Sequence, residues 1–420
     1  MTIEITSVHA HEILDSRSRP TLSVTVQVSG GHIFRAGVPS GASTGSGEAV
    51  ELRDGDSHRY TGKGVLSAVA NVNGPIAQAL SGRSFTSLGA LDDALIDLDG
   101  TANKSRLGAN AIVGVSMASA RAFAAASNAP LWRFLTPPGV TPVLPVPHFN
   151  VINGGVHAPN SLDFQEFMIA PLGAASYAEA VRAGAEVYGA LKSRLTARGF
   201  ATGLGDEGGF APDISRPEDV LETLVGAIQD AGYTPGRNGV AIALDPASSE
   251  FYRDGSYSVA GQSLSSSDMI GYYSELVERF PIWSIEDGLA EQDWEGWVEL
   301  TAQLGEHVQL VGDDNFVTNP DIIADAISRK VANAALIKVN QIGSVTETLE
   351  ALKVCRAGGY TAMISHRSGE TDDAFIADLA VGSGCGQLKS GAPARGERVA
   401  KYNRLLEIAD EHPDLPYGTA

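Results

Sequence analysis

The sequence is poor in cysteine and short of positive charge. It contains two cysteines in 420 residues, Cys355 and Cys385, and we expect both to be ordinary reduced thiols. Its 30 basic residues are outnumbered by 50 acidic ones, which gives a net charge of −20. This charge argues against nucleic acid or an anionic membrane as a partner. A chain this acidic needs local cations or metal ions to bind an anionic substrate.

Long apolar runs are also lacking. No apolar stretch approaches the roughly 18 residues that a membrane span requires. The first thirty residues do not contain a basic segment followed by an apolar core, as a signal peptide would. We therefore expect no membrane partner and a cytoplasmic location. The 43% of hydrophobic residues predict a well-buried globular protein.

The length and a proline-rich break predict two domains. Thr136–Pro142 contains three prolines, which interrupt regular structure. We place the boundary there, giving an N-terminal domain of residues 1–138 and a C-terminal domain of residues 139–420. The first domain should be small and α+β, with three strands before its helices. Its helical patterns cover residues 64–80, 88–97 and 108–127, and the last, apolar on nearly every side, should be an inner helix.

The second domain shows alternating strand and helix patterns. Two early strands, 151–156 and 164–170, precede two helices, one behind the Ser176–Glu179 capping box and one from Pro217 to Gly232. The later strands, each followed by a helical pattern except the last, are 240–244, 282–285, 308–311, 334–337, 361–364 and 386–388. Eight strands over about 280 residues predict a β/α barrel that opens strand-strand-helix-helix.

Acidic residues end three consecutive strands of this barrel: Asp245, Glu286 and Asp313. Groups at the carboxyl ends of such strands converge on one opening. Three facing carboxylates repel one another unless a cation lies between them. Oxygen ligands without clustered cysteine or histidine favour Mg²⁺. The alternative is that each acid only caps the N-terminus of a helix. This alternative explains a single acid more readily than three acids at equivalent positions.

Lysines end two later strands. Lys338 and Lys389 follow apolar runs, so we expect them in a cleft beside the metal ligands rather than on a solvated face. Burial and nearby positive charge would lower the pKa of a lysine there. A neutral lysine could then act as a base towards a weakly acidic C–H bond.

Two glycine-rich loops carry further candidates. Glu207 lies among the glycines of Thr202–Phe210, where the backbone can approach a ligand and present an acid. The alternative is a plain flexible turn. His157 follows the glycine pair of Asn153-Gly-Gly-Val and is the weaker candidate, because a histidine there could be merely structural.

A possible phosphate site follows the strand at residues 361–364. The segment Ser365–Glu370 supplies His366, Arg367 and Ser368 and leads into a helix. An imidazole, a forked guanidinium and a hydroxyl beside backbone amides suit a phosphate group. A lone histidine–arginine pair would more often belong to the surface.

Seven motifs, taken together and in order, resemble those of the enolase (phosphopyruvate hydratase) family and span nearly the whole chain. They are Pro39-Ser-Gly-Ala-Ser-Thr-Gly45, Gly205-Asp-Glu-Gly-Gly-Phe-Ala-Pro212, Ser284-Ile-Glu-Asp287, Gly312-Asp-Asp314, Ile337-Lys-Val-Asn-Gln-Ile-Gly343, Ser365-His-Arg-Ser-Gly-Glu-Thr371 and Gly391-Ala-Pro-Ala-Arg395. The resemblance implies an enolase-type TIM barrel behind a small α+β domain. It also implies a magnesium-dependent lyase that dehydrates 2-phosphoglycerate to phosphoenolpyruvate.

The resemblance further implies two Mg²⁺ ions per active site. Asp245, Glu286 and Asp313 match the ligands of the tighter ion, and Ser40 matches the loop residue that reaches the second ion. A homodimer or a larger homo-oligomer is also implied.

The remaining candidates match residues that act on the substrate. Lys338 matches the base that removes the C2 proton, and Glu207 matches the acid that helps the C3 hydroxide to leave, with Glu166 as its neighbour. Lys389 matches a cation on the substrate carboxylate. The residues that match other substrate contacts are His157 on a closing loop and His366, Arg367 and Ser368.

The chain departs from the family pattern without losing a catalytic group. The departures are Ser18-Arg19 in place of the usual Gly-Asn, His148-Phe149, Pro246, Asn315 and Ser390. They leave open a specialised relative acting on a 2-phosphoglycerate analogue with a modified phosphoryl group, for example one forming carboxyphosphonoenolpyruvate in phosphonate metabolism. A non-catalytic receptor or scaffold is a further alternative, disfavoured because such a protein would be free to lose active-site groups.

Overall fold

The computed structural model describes residues 2–42 and 44–419. Ser43, part of the Pro39–Gly45 motif, lies outside the described residues. The chain begins with an antiparallel sheet of spatial order β3-β2-β1-β4. Its strands are β1 (Ile3–Leu14), β2 (Pro20–Val28), β3 (Ile33–Gly37) and β4 (Ser84–Phe85). The apolar side chains that alternate along β2, such as Leu22 and Val24, are fully buried, as the sequence pattern predicts.

Helices cover this sheet. They are α1 (Leu66–Asn71), α2 (Ala77–Leu80), α3 (Leu88–Asp99), α4 (Ala109–Ala126) and α5 (Leu131–Phe134). A π-turn at Val72–Ile76, containing Pro75, joins α1 to α2. The single helix predicted over 64–80 is therefore interrupted, because proline cannot donate the backbone hydrogen bond of a regular turn. The prediction of an inner helix at 108–127 is confirmed, since α4 is buried along most of its length.

The length and composition of α4 would allow it to cross a membrane. It is the one helix in the described part of the chain of which this is true, and 83% of it is buried inside the protein. The core helix of a globular domain passes the same test.

Between α5 and the first strand of the barrel, residues 135–145 contain no helix or extended strand. The predicted domain boundary between residues 138 and 139 falls in this segment and stays a prediction.

The second domain contains a closed eight-stranded barrel. Its strands in chain order, with those of a separate small sheet, are β5 (Val146–Asn153), β6 (Glu166–Ala170), β7 (Ala241–Asp245), β8 (Tyr252–Arg253), β9 (Ser256–Val259), β10 (Gln262–Leu264), β11 (Ile282–Glu286), β12 (Gln309–Gly312), β13 (Ala334–Ile337), β14 (Thr361–Ser365) and β15 (Gln387–Lys389). The barrel order is β5-β6-β7-β11-β12-β13-β14-β15. Strand β6 runs antiparallel to both of its neighbours, and the other neighbouring barrel strands are parallel.

Nine α-helices of the described chain follow β5. They are α6 (Tyr177–Ala197), α7 (Pro217–Asp230), α8 (Ser266–Arg279), α9 (Trp294–Leu304), α10 (Pro320–Arg329), α11 (Val339–Ile342), α12 (Val345–Ala357), α13 (Phe375–Ser383) and α14 (Gly396–Glu411). The hydroxyl of Ser176 accepts a hydrogen bond from the Glu179 backbone at the start of α6, as the capping signature predicts. Strands β5 and β6 precede α6 and α7, so the predicted strand-strand-helix-helix opening is confirmed.

The barrel domain differs from the sequence-based prediction in the bounds of its first strand and in a small sheet and a helix. The first strand, predicted at 151–156, runs from Val146 to Asn153. It ends before Gly155, whose φ of +50° is left-handed and cannot continue a strand. All of its residues are buried, so no polar alternation marks where it begins. The small sheet β8–β10 and the helix α14 were not predicted.

Candidate active site

The candidate residues meet at one end of the barrel. The parallel strands bring Asp245, Glu286 and Lys389 to their carboxyl ends, and Asp313, Lys338 and His366 follow the next strands directly. Because β6 is antiparallel, its first residue faces the same end, and Glu166 pairs in register with Asp245. The strand ends therefore supply both acids and amines to one opening, as expected for a barrel of this kind.

Lys389 lies among three carboxylates. Its Nζ is 3.0 Å from Asp245 Oδ2, 2.8 Å from Glu286 Oε1 and 3.1 Å from Glu166 Oε2. All four side chains are buried. Burial opposes the charge of the amine, but the three carboxylates outweigh it and raise the pKa of Lys389 well above its usual value.

Lys338 forms an ion pair with Asp313. Its Nζ donates a hydrogen bond to Asp313 Oδ2, while Gln341 Nε2 donates to Asp313 Oδ1 over 2.9 Å. Burial favours a lower pKa for Lys338, but the Asp313 carboxylate more than offsets burial, so the pKa of this lysine is raised. The expectation that Lys338 and Lys389 have lowered pKa values is therefore wrong for the protein without bound metal ions. The sequence did not show which carboxylate each amine would contact.

The donor set fits a divalent cation. Glu286 Oε2 is buried and has no hydrogen-bond partner among the described residues. Burial, followed by the charge of Asp245, raises the pKa of Glu286 well above its usual value. The described side chains thus leave part of the negative charge of Asp245 and Glu286 without a compensating positive charge. Carboxylate oxygens are the ligands that Mg²⁺ prefers. These acidic clusters could hold a metal ion.

The tightest groups of possible metal ligands differ from the predicted set. In the described chain, ligand atoms lie within 4.8 Å of one another in two groups, His157 with Glu166 and Glu207, and Asp287 with Asp313 and Asp314. Asp313 is shared with the prediction, but Asp245 and Glu286 are outside both groups. The physical reason is that the amine of Lys389 lies against Asp245 and Glu286, and that of Lys338 against Asp313.

Glu207 lies in a second buried cluster beside the first. Its Oε2 accepts a hydrogen bond of 3.0 Å from Asn150 Nδ2 and lies 3.3 Å from His366 Nε2. Its Oε1 lies 3.8 Å from His157 Nδ1, which is equally far from Glu166 Oε1. Glu166 therefore links this cluster to Lys389.

The two acids of this cluster have opposite pKa shifts. Burial, followed by the charge of Glu207, raises the pKa of Glu166 well above its usual value. Burial also acts to raise the pKa of Glu207, but His366 and His157 outweigh it and lower that pKa well below its usual value. Burial lowers the pKa of His366 to about 4 and also lowers the pKa of His157. Of the two carboxyl groups, Glu166 therefore favours the protonated form and Glu207 the charged form.

The segment His366–Ser368 joins the site to the N-terminal domain. The guanidinium of Arg367 donates to both carboxylate oxygens of Glu48 over 3.0 Å and to Asn340 Oδ1 over 3.0 Å. Ser368 Oγ contacts His157 Nε2 at 3.0 Å. The predicted phosphate contacts are thus adjacent to the predicted loop contact.

Ser40 is held by Gly369, the residue after this segment, but its hydroxyl faces another direction. Its backbone exchanges two hydrogen bonds of 2.8 Å with Gly369. Its Oγ accepts from Arg53 Nη2 over 2.8 Å and contacts Glu51 Oε2 at 3.3 Å. The structure therefore brings Ser40 to the edge of the site without bringing its hydroxyl to the three predicted metal ligands.

A cavity of about 430 Å³ lies at this edge. Its lining includes Ser40, Glu48, Asn340 and Arg367, together with the cations Arg19, Arg53 and Lys63. The four cations of this lining outnumber its two acids, Glu48 and Glu51, although the chain as a whole is acidic.

Sequence reasoning missed several residues that position these groups. Asp287 accepts hydrogen bonds from the backbone amides of Asp313 and Asp314, at 2.9 and 3.1 Å. Gln341 and Asn150 contact Asp313 and Glu207 as described above. Asp287 and Gln341 lie inside the recognised motifs, so closer attention to polar motif residues could have identified them. Asn150 carries no such signal.

Comparison with known proteins gives matches over both domains. A family model described as "Enolase, N-terminal domain" matches residues 5–135, and one described as "Enolase, C-terminal TIM barrel domain" matches residues 141–416. The chain is 58% identical to an enolase of Rubrobacter xylanophilus over 97% of this chain and 95% of that protein. It is 57% identical to an enolase of Acidothermus cellulolyticus over 98% of this chain and 95% of that protein.

Proposed function

The chain belongs to the enolase family, and on that premise we propose that it is a hydro-lyase converting 2-phosphoglycerate to phosphoenolpyruvate. The observation that supports this most is the meeting of two lysines and five acids at one end of the barrel. On one side Lys338 and Lys389 lie among Asp245, Glu286 and Asp313, and on the other Glu207 lies beside Glu166. A base and an acid on two sides of one site suit the removal of a proton and a hydroxide from neighbouring carbons.

We assign Asp245, Glu286 and Asp313 as ligands of one Mg²⁺ and Ser40 as a contributor to a second. When bound, Mg²⁺ supplies positive charge that offsets these carboxylates and the negative charge developing on the substrate. The unpartnered Glu286 Oε2 supports this assignment. The Ser40 hydroxyl would have to turn away from Arg53 and Glu51 to take part.

Lys338 is the proposed base. Its Nζ takes the proton from C2, and the electrons of the C–H bond move towards the substrate carboxylate to give an ene-diolate. The substrate carboxylate is already charged, so this step needs strong electrostatic stabilisation. The ammonium of Lys389, whose raised pKa keeps it charged, contacts that carboxylate. The attraction between this ammonium and the substrate becomes stronger once the second negative charge has formed, so Lys389 stabilises the ene-diolate more than the substrate.

Glu207 is the proposed acid. The lowered pKa of Glu207 favours its carboxylate, so Glu207 first takes a proton relayed from Glu166 and then gives it to the C3 hydroxyl. The C3–O bond breaks, and the electrons at C2 form the C2–C3 double bond. Water leaves, Lys338 retains the proton from C2, and Glu207 is left as a carboxylate. Glu166, whose raised pKa favours its protonated form, lies across His157 from Glu207 and can supply the next proton. Exchange with solvent then restores Lys338.

Arg367 and Ser368 are the proposed phosphate contacts, with His366 beside them and His157 on a loop that closes over the substrate. The cavity that Arg367 shares with Ser40, Arg19, Arg53 and Lys63 supports a phosphorylated carboxylate as the ligand.

We further propose that the protein forms a homodimer or a larger homo-oligomer and that it is located in the cytoplasm. Light scattering coupled to size exclusion tests the oligomeric state.

The decisive test is turnover of 2-phosphoglycerate by the purified, magnesium-loaded protein, followed as the rising ultraviolet absorbance of phosphoenolpyruvate. Analogues altered at phosphorus serve as competitors in the same assay. The alternative substrate with a modified phosphoryl group is not favoured, because similarity to the two enolases extends over nearly the full length. Intact, metal-loaded protein that turns over only an analogue would reverse this preference.

A further inference from the structure

Helix α14 places a fully buried arginine behind the proposed acid. Arg398 is 0% exposed. Its Nη1 contacts His366 Nδ1 and donates to the backbone oxygen of Arg367 over 2.6 Å. Its Nη2 donates to the backbone oxygen of Ser368 over 2.6 Å. The arginine therefore holds the whole His366–Ser368 segment from below, through its backbone and through one imidazole nitrogen.

The contact with His366 determines where the imidazole carries its proton. A guanidinium has only donors, so the ring nitrogen that faces it must present a lone pair. In a neutral imidazole one nitrogen accepts and the other donates. Nδ1 faces Arg398, and the proton therefore lies on Nε2. The opposite tautomer would place an N–H against the guanidinium and a lone pair against the Glu207 carboxylate, both in a buried site.

The Nε2–H group then faces Glu207. Nε2 lies 3.3 Å from Glu207 Oε2, a distance that a small rotation of the ring would turn into a good hydrogen bond. The same oxygen already accepts a hydrogen bond from Asn150 Nδ2. Two donors therefore converge on Oε2, while Oε1 faces His157 and Glu166 instead.

We propose that Arg398 is a positioning residue that fixes His366 as the Nε2–H tautomer and thereby leaves Glu207 Oε1 as the oxygen that carries the transferred proton. This role rests on the proposed function, in which Glu207 is the acid. Among the side chains of the proposed substrate contacts, the Arg398 guanidinium contacts only that of His366, and it binds Arg367 and Ser368 through their backbone oxygens. Its loss should therefore lower kcat through His366, with a smaller rise in KM where the backbone of Arg367 and Ser368 shifts.

The test is the ¹⁵N spectrum of histidine-labelled, full-length protein, with the His366 signals identified by their loss in His366→Gln. The wild-type protein should show a protonated Nε2 and an unprotonated Nδ1 at neutral pH. In Arg398→Gln the side-chain amide can accept as well as donate, so both tautomers should appear. The kcat should fall about 10- to 100-fold, the loss expected when a catalytic group is displaced by about 1 Å. Arg398→Lys keeps a charged donor and should retain more of the Nε2–H tautomer and of kcat.

Arg404→Gln is the matched control, since Arg404 lies on the same helix and binds Asp378, away from His366. It should leave tautomer and kcat unchanged. A proton on Nδ1 in the wild-type protein would overturn the proposal even if Arg398→Gln fails to fold, and so would an unchanged tautomer in a folded Arg398→Gln. A wild-type protein without turnover but with the Nε2–H signal would instead count against the proposed function alone.

Discussion

Lys338 Nζ donates a hydrogen bond to Asp313 Oδ2, so the proposed base and a proposed metal ligand form one buried ion pair. The carboxylate raises the pKa of the lysine against the opposing effect of burial. A protonated amine cannot accept a proton, and Asp313 cannot fully neutralise both Lys338 and a metal ion. A divalent cation held by Asp313 would compete with Lys338 for this carboxylate, and the amine would then lose its proton more readily and could act as a base.

Replacing Lys338 by alanine should reduce the rate of phosphoenolpyruvate formation by about 10²- to 10⁴-fold, which is the usual contribution of a general base. The measurement is the ultraviolet assay, with circular dichroism to verify folding. Lys353→Ala is the control, because Lys353 is exposed and pairs only with Glu350 among the residues described. Substantial turnover by Lys338→Ala would assign the base to another residue.

Glu207→Gln should separate the two proton transfers. The amide cannot deliver a proton to the leaving hydroxide, so dehydration should fall by about 10²-fold or more. Lys338 is untouched, and 2-phosphoglycerate recovered from heavy water should still exchange its C2 hydrogen, as seen by NMR. Lys338→Ala should lose this exchange. If Glu207→Gln also loses it, Glu207 acts before or during removal of the C2 proton.

Glu286→Gln should weaken magnesium binding. The substitution removes a buried carboxylate whose Oε2 has no hydrogen-bond partner among the described residues. We expect Mg²⁺ to raise the melting temperature of the wild-type protein, because a ligand that binds the folded state stabilises it. The variant should need a higher Mg²⁺ concentration for the same shift. Exposed Glu299→Gln should follow the wild type, and identical titrations of Glu286→Gln and wild type would remove Glu286 from the metal site.

Asp92→Asn should change how stability depends on pH. Burial raises the pKa of Asp92 from 3.8 to about 6, although its Oδ2 accepts from the backbone and hydroxyl of Thr346. The folded state therefore binds more protons than the unfolded state between about pH 4 and pH 6, and this group's contribution to stability falls as pH rises through that range. Two pKa units correspond to about 3 kcal/mol at most.

The asparagine variant avoids that cost, so its free energy of unfolding at pH 7 should exceed that of the wild type by about 1–3 kcal/mol. The difference should shrink towards pH 4. Denaturant titrations at several pH values measure it, with exposed Asp93→Asn as the control. A less stable Asp92→Asn at pH 7 would mean that the N-terminus of α12 favours the charged carboxylate more than burial disfavours it.

Ser18→Gly should stabilise the protein by about 0.5–1 kcal/mol. Ser18 has φ of +59°, and the left-handed region costs a non-glycine residue about 1–2 kcal/mol. Glycine removes that strain but loses about 0.5–1 kcal/mol through its greater freedom when unfolded. Thermal or denaturant unfolding measures the change. Ser23→Gly, within strand β2, should have the opposite sign, and a destabilising Ser18→Gly would show that the serine side chain makes a stabilising contact.

Several elements of the fold could be predicted because their sequence patterns are local. The strand Ala334–Ile337 has the predicted bounds because an apolar run marks it, and the helix predicted from Pro217 begins there because proline suits the first turn of a helix. The break at Pro75 and the true start of the first barrel strand at Val146 were missed. A proline within a helical pattern is a local signal, so the break at Pro75 could have been predicted. The start at Val146 could not, because all residues of that strand are buried and no change of pattern marks it.

The sequence by itself determined the kind of protein: the strand-strand-helix-helix barrel, the family, and the acids and lysines that end the strands. Those features follow from hydrophobic periodicity and from motifs of a few neighbouring residues. Only the tertiary structure decided which charges pair. Lys389 lies against Glu166, Asp245 and Glu286 because four distant strand ends meet there, and Arg398 faces His366 because α14 packs beneath the site. Electrostatic energy depends on distance through space, which spacing along the chain does not specify.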